Sequence, residues 1–300
     1  MKKLLSLLIC LAMVLCFICG CSPKDPYGNK AFPVNIGGAK ISKLPTHIAV
    51  LSPGIYAVLN DILETDANVV AVSDYTALDL KNLTAVGTAD EPDINTIVGL
   101  SCDLVLTNSK LSQENADLLS NQGVPVAVVS APTTFDGLQE YYRQLACLCL
   151  GNVAGYATSN TVYENMIAQI NQVSTDITDK KSAVLLLDEK IVATSGTVGD
   201  SLLTYAGFDN AAKNLQTMEI DFSTIKDLNP SVIFCDSLIL DSIKSSTDLT
   251  EIDAVKNNCV FGISVLSIEL LGSGIYDSAK QMREYVYGEL VLPETSSHED

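Results

Sequence analysis

The 300-residue chain has no tryptophan, only two histidines and two arginines, and it sets 18 Lys+Arg against 36 Asp+Glu. Each scarcity closes off a class of function. A formal net charge of −18 argues against nucleic acid, whose phosphates need basic patches. It also disfavours a strongly anionic ligand unless charge is reversed locally, and most of it reads as solvated surface. His47 falls in a buried-strand pattern and His298 in the C-terminal tail. A Ser-His-Asp relay therefore has no evident base, and coordination of a metal through histidines has no ligand set. The patterns G-x-x-x-x-G-K-[ST], H-E-x-x-H and G-x-S-x-G are absent. Ser223-Thr-Ile-Lys226 has S-x-x-K spacing without its partner motifs. Paired acids such as Asp188-Glu189 arise by chance in so acidic a chain. The expectation is a binder rather than an enzyme, with no cofactor and no metal site of its own.

The export signal is the first thing present. Lys2-Lys3 and the apolar run from Leu4 to Ile18 read as a secretory signal peptide, too short for a comfortable membrane span. Its end, Ile18-Cys19-Gly20-Cys21, resembles a bacterial lipoprotein box. That resemblance implies diacylglycerol on the Cys21 thiol and a mature chain beginning there. Cys19 is the rival position, with Ile18 poorly suited to cleavage, and an unlipidated signal is the other alternative. Two or more acyl chains hold a protein firmly on a bilayer. Loss of residues 1–20 removes two lysines and no acid, so the mature chain is more acidic still.

Five cysteines remain: Cys102, Cys147, Cys149, Cys235 and Cys259. None has C-x-x-C spacing. Cys147 and Cys149 point to different faces of a helical pattern and do not bridge easily. Most read as small buried hydrophobes. One disulfide stays open, with at least one thiol left over.

Residues 22–30 are polar, with Pro23, Pro26 and Gly28, and read as a flexible tether. Residues 32–36, Gly37-Gly38 and 39–44 predict a β-hairpin on a glycine turn. Apolar β-rich runs then alternate with helical patterns. Strands are expected at 47–51, 68–72, 103–106 and 124–129, then at 182–187, 191–194, 232–235 and 259–263, while 83–86 leads into Gly87-Thr88. Such alternation argues parallel sheets. Between the halves, Val162, Met166, Ile170, Val173 and Ile177 form one helical stripe over residues 158–177. Thr161 and Glu164 have capping-box spacing, and Lys180-Lys181 suits a helix end. About 20 residues at ~1.5 Å each give a rod of roughly 30 Å. The expected fold is α/β: two Rossmann-like α/β lobes with mainly parallel sheets, joined by one long α-helix. A surface helix inside one larger domain is the competing reading. The expected divisions are signal peptide 1–20, tether and hairpin 21–45, N-terminal lobe 46–150, linking helix 151–180, C-terminal lobe 181–293 and tail 294–300.

One internal repeat is visible. Asp93-Ile-Asn-Thr-Ile-Val-Gly-Leu-Ser-Cys-Asp-Leu-Val-Leu and Asp221-Phe-Ser-Thr-Ile-Lys-Asp-Leu-Asn-Pro-Ser-Val-Ile-Phe share aspartate, threonine, isoleucine and leucine in place. Each reads as a short helix feeding a buried strand. Further pieces are Phe32-Pro-Val-Asn-Ile-Gly-Gly, Ile48-Ala-Val-Leu-Ser-Pro, Val70-Ala-Val-Ser-Asp-Tyr, Ala85-Val-Gly-Thr, Leu228-Asn-Pro-Ser-Val-Ile and Ala254-Val-Lys-Asn-Asn-Cys-Val-Phe-Gly. In this order, from about residue 32 to 292, they resemble the periplasmic-binding-protein family of ABC importers for vitamin B12, haem and iron-siderophores (class III, with a long inter-lobe helix). The resemblance implies a monomeric receptor, lipid-anchored on the extracytoplasmic face of the cell membrane. It would catch a metal chelate (siderophore or haem) or a corrinoid between its lobes and deliver it to an ABC permease and its ATPase. A surface adhesion or scaffolding lipoprotein with this fold but no transport role is the alternative; a secreted enzyme is a third reading.

In that family an acidic residue on each lobe meets permease arginines, usually seven residues before the proline of the repeat. Asn95 and Ser223 stand at those positions, a departure in both lobes. Asp93 and Asp221 lie two residues earlier, about 200° round a helix, and compete as docking acids or as helix N-caps. Glu91 and Glu219 are further symmetric docking candidates. Ligand contacts in this fold come from strand ends facing the cleft: Ser52, Pro53, Asp74, Tyr75, Thr88, Asn108 and Ser130 in the first lobe, and Ser195, Thr197, Asp236 and Leu266 in the second. Tyr75 leads, as an amphipathic aromatic beside a strand end; a packed loop tyrosine is its rival reading. The family's cobalamin binder has tryptophans on its cleft walls, where Ala89, Asn108 and Thr217 stand here. Siderophore binders often use arginines, but Arg143 and Arg283 lie on helical patterns and read as surface. A neutral or cationic chelate or corrinoid is favoured.

Overall fold

The computed structural model describes residues 30–63, 68–74 and 83–290. Cys21, the expected lipid site, and Tyr75 lie outside the described residues. The chain enters through an antiparallel hairpin of β1 (Val34–Ile36) and β2 (Ala39–Ile41). Its turn is Gly37-Gly38, with φ of 62° and 83°. Two consecutive residues at positive φ match the two-residue hairpin turn whose twist suits paired strands.

Two sheets follow. β3 (Ile48–Val50), β4 (Val69–Val72), β5 (Thr84–Ala85), β6 (Leu104–Thr107) and β7 (Val126–Val128) lie all parallel in the order β5-β4-β3-β6-β7. β8 (Lys181–Asp188), β10 (Phe208–Asn210), β11 (Val232–Asp236) and β12 (Val260–Ile263) lie parallel in the order β10-β8-β11-β12. β9 (Ile191–Val192) runs back antiparallel along β8. Successive strand residues face opposite ways. Thus Ile48 and Val50 enter one buried cluster while Ala49 and Leu51 enter another. Burial on both faces is why these strands read as unbroken apolar runs rather than as alternating ones.

On the outer face of the first sheet lie α2 (Ile94–Gly99) and α3 (Gln113–Asn121), which bury Ile97 and Leu119. The outer face of the second sheet is covered by α7 (Phe222–Leu228), α8 (Leu240–Ser245) and α9 (Asp253–Lys256). The inner faces share helices: α1 (Pro53–Ile62) and α4 (Leu138–Leu150) on the first lobe, α6 (Val198–Tyr205) and α11 (Gly274–Tyr287) on the second, and the linking helix α5 (Asn152–Gln172) among them. One buried cluster therefore runs from Val34 and Ile48 through Tyr142, Met166 and Ile170 to Leu185, Phe234 and Met282. The lobes have separate cores only on their outer faces. A shared, close-packed inner layer resists large lobe rotation, because interiors are dense and repack in discrete steps.

The linking helix ends earlier than its sequence reading, at Gln172. Of its stripe, Met166, Ile170 and Val173 are buried, Val162 is half-buried and Ile177 lies beyond the helix end. The helix starts at Asn152, ahead of the stripe at 158–177 and one residue inside the expected division at 151, directly after Gly151, whose φ of 84° lets α4 stop and α5 begin. Gly155 makes the close helix crossing work, since a Cβ there would lie 2.5 Å from the Cys147 backbone. Thr161 is mid-helix and bonds back to the Ala157 carbonyl, so no capping box forms. Lys181 opens β8 instead of closing the helix. The N-terminal amide of α5 is satisfied by the incoming chain: the Asn152 N–H donates to the Ala31 carbonyl at 2.8 Å.

Candidate functional site at the strand carboxyl ends

In open α/β sheets ligands bind beyond the strand carboxyl ends, where the strand order reverses. In the first lobe that point is β3, with β4 on one side and β6 on the other. Ser52 follows β3 and Asn108 follows β6. The Ser52 hydroxyl, buried, accepts the Asn108 N–H at 2.8 Å. The Asn108 side-chain oxygen accepts the Tyr141 hydroxyl at 2.9 Å. Burial raises the Tyr141 pKa, so that hydroxyl stays a donor. Pro53 occupies the first turn of α1, where its missing N–H costs nothing. Asp74, Thr88 and Ser130 are exposed at the ends of β4, β5 and β7. Thr88 uses its hydroxyl to accept the Glu91 N–H.

In the second lobe the corresponding strand is β8, flanked by β10 and β11. Asp236 ends β11 and spends both oxygens on backbone, accepting from Leu238 N–H at 2.8 Å and Val265 N–H at 3.3 Å. Leu266, half-buried, lies in α10 (Val265–Glu269) just after β12. Thr197 caps α6: its hydroxyl accepts the Asp200 N–H and donates to the Thr194 carbonyl. Ser195 is exposed beside it. Of these residues, Thr197 and Asp236 are committed to holding their own loops.

The two sets of loops converge. A Cβ on Gly54, one residue past Pro53, would lie 3.4 Å from the Leu270 carbonyl oxygen of the second lobe. The Asp61 carboxylate of α1 accepts the Ser273 N–H at 2.7 Å and the Tyr142 hydroxyl at 2.7 Å. Phe135 and Tyr205 pair across the lobes with ring centroids 5.0 Å apart.

Asp93 and Asp221 are both helix N-caps. Asp93 accepts the Thr96 N–H at 3.0 Å and its hydroxyl at 2.6 Å. Asp221 accepts the Thr224 N–H at 2.7 Å and its hydroxyl at 2.8 Å. These bonds favour the ionised form and hold both carboxyls below their ordinary pKa. Glu91, Glu219, Asn95 and Ser223 are exposed. Glu219 and Asp221 border a surface hollow of about 630 Å³, lined also by Lys190 and Thr217.

Several sequence readings change. His47 is exposed and precedes β3, its Nδ1 3.1 Å from the Thr46 hydroxyl. Arg283 is buried, not on the surface, and its guanidinium donates to Asp176 at 2.7 Å. Arg143 pairs with Glu140 and lies over the Tyr156 ring. Cys102, Cys149, Cys235 and Cys259 are free thiols, and burial pushes Cys149 up to about 12. Among the described residues no group of three His, Cys, Asp or Glu comes together that would hold a metal ion. Leu238 is 93% exposed just past the end of β11. In sequence it opens Leu238-Ile-Leu, which reads as core.

The family model described as periplasmic binding protein matches residues 48–264, well over half of the chain. No curated protein matches. Among solved structures, the periplasmic haem-binding protein HutB of Vibrio cholerae is 16% identical, with a TM-score of 0.68 over 81% of this chain and 99% of that one. The periplasmic vitamin B12-binding protein BtuF of Vibrio cholerae is 16% identical, with a TM-score of 0.60 over 80% and 96%. The iron uptake ABC transporter substrate-binding protein PiuA of Streptococcus pneumoniae is 20% identical, with a TM-score of 0.61 over 84% and 95%. Two lobes on a shared helical layer, with their strand ends brought together, belong to a member of the periplasmic binding protein family.

Proposed function

We propose that this chain is the solute receptor of an ABC importer, held by a lipid on Cys21 at the extracytoplasmic face of the cell membrane. It captures a metal chelate (haem or a siderophore complex) or a corrinoid between its lobes and passes it to a permease driven by an ATPase. The observation that carries this is the convergence of two sets of strand carboxyl ends, at Gly54 and Leu270. The work is binding, not catalysis: a ligand that contacts both lobes favours one lobe arrangement over another, and a partner can read that difference. Ser52, Pro53, Asp74, Thr88, Asn108 and Ser130 form one wall, with Ser195, Thr197, Asp236, Leu238 and Leu266 on the other. The acidic balance favours a neutral or cationic complex. Glu91 and Glu219 are the leading docking acids, because Asp93 and Asp221 are occupied as caps.

Native mass spectrometry of the mature chain with haem, cobalamin, cobinamide and ferric siderophores tests the ligand class. A mass shift of one ligand is expected with one of them; no shift with any removes the class. The exposed Asn95 and Ser223, where the family's docking acids usually stand, favour a second reading as a surface adhesion lipoprotein. Unchanged uptake of a bound ligand after deletion of the gene would support that one.

A further inference from the structure

The positive charge of this acidic chain is not spread evenly. Residues 22–60 hold four lysines (Lys24, Lys30, Lys40, Lys43) and one acid, Asp25; the other 35 of the 36 acidic residues lie elsewhere. Lys30, Lys40 and Lys43 are exposed. Lys40 and Lys43 line one hollow of about 290 Å³. The acid in its lining is Asp103, which accepts the Thr46 and His47 N–H groups. Leu44, beside Lys43, leaves a large apolar side chain 46% exposed.

This patch sits where the tether arrives. In the hairpin, Val34 pairs with Ile41, so the open end carries both the incoming chain and the Ser42-Lys43 exit. Asn152 pins that end, its side-chain N–H groups donating to the carbonyls of Lys30 at 2.9 Å and Pro33 at 3.1 Å. Eight residues separate Lys30 from Cys21, a reach of about 30 Å at most. A tether that short lets the patch reach the bilayer surface.

We propose that Lys30, Lys40, Lys43 and Leu44 form a contact surface for anionic phospholipid headgroups. The proposal rests on the lipid-anchor reading above for its reach. Clustered lysines near an anionic surface are attracted within a Debye length, and an exposed leucine among them has an apolar boundary to enter. The contact also sets direction. His47, Asp103 and Pro125 precede β3, β6 and β7, whereas Ser52, Asn108 and Ser130 follow them. The lysine end and the ligand-facing end are thus opposite ends of the first sheet. A receptor resting on its lysines points its strand carboxyl ends at the medium, the orientation for capture, and must turn over to dock.

The test uses the mature chain with an N-terminal histidine tag in place of Cys21, held on vesicles containing nickel-chelating lipid. Lysine acetylation rates are read by mass spectrometry on phosphatidylglycerol and on phosphatidylcholine. Lys40 and Lys43 are expected to react about fivefold more slowly on phosphatidylglycerol, with the difference lost in concentrated salt. Lys213 and Lys226, on the other lobe, keep their rates. In the variant K40E/K43E, Lys30 is expected to react equally on both lipids. Equal rates at Lys40 and Lys43 on both lipids, or equal slowing at Lys213 and Lys226, would overturn the proposal. The anchor is tested apart: Cys21→Ser should release the full chain from cell membranes. Retention would defeat the anchor reading, while the tagged chain still reports on the patch.

Discussion

Asp93 and Asp221 occupy matching places in the two lobes. Each caps a short helix through the threonine three residues on, and each unit then turns through a left-handed residue, Ser101 at φ 57° or Asn229 at φ 40°. Each strand that follows, β6 or β11, lies beside the first strand of its own lobe. The surroundings then diverge. β3 has three residues and passes straight into α1, whereas β8 has eight and folds back as β9. That extra hairpin brings Lys190 to the hollow beside Asp221. The shared parts of the repeat serve folding. The unshared parts are the hairpin and the exposed Leu238, which in the second lobe stand beside the repeat.

The comparison breaks first in the core. Ile97 and Ile225 are the repeat's matching isoleucines, each fully buried on an outer face. Ile97→Ala and Ile225→Ala should each cost about 2–5 kcal/mol, by lost transfer energy and an unfilled cavity. Urea unfolding that finds one costly and the other nearly neutral would end the equivalence of the two units. Next comes docking. Reversing Glu91 and Glu219 together to lysine should cut ligand uptake by about tenfold through like-charge contact with the permease, with ligand affinity unchanged. Reduced affinity in that variant would move these residues from the docking face to the cleft.

The difference between lobes is sharpened by Leu238→Asp. It should weaken ligand binding roughly fivefold, by removing an apolar contact, and leave the melting temperature alone because the side chain is exposed. An unchanged dissociation constant would take Leu238 off the wall. The smallest effect belongs to the caps. The Asp93 and Asp221 pKa values are depressed on folding, so their stabilisation is present above pH 3.8 and is lost as pH falls through the lower folded values. Asp93→Ala and Asp221→Ala should lower the melting temperature at neutral pH and flatten its fall below pH 3.8. An acid slope identical to the parent protein would deny the caps any share in acid sensitivity.

Much of the architecture was legible because it is local. Ile48, Val50, Val184 and Leu186 lie in apolar runs bounded by turn residues, and that pattern marks a strand buried on both faces. The repeat was legible because the same cap and the same buried isoleucine recur at one spacing. The capping box read at Thr161 and Glu164 does not form because both lie mid-helix, and the actual boundary depends on Gly151 accepting φ 84°. Leu240–Ser245 and Val265–Glu269 were missed as helices, being too short to show a period. Arg283 read as surface because its partner, Asp176, is 107 positions away.

The chain's own pattern of apolar, cap and turn residues determined two α/β halves, a linking helix and the doubled aspartate cap. Each rests on residues within a turn or two of one another, whose preferences act before any distant contact forms. Tertiary structure decided that the halves share one inner core, that Leu238 stands in solvent and that Asp61 meets Ser273, 212 positions away. Those outcomes depend on which surfaces are covered when the whole chain packs, and no local periodicity encodes that.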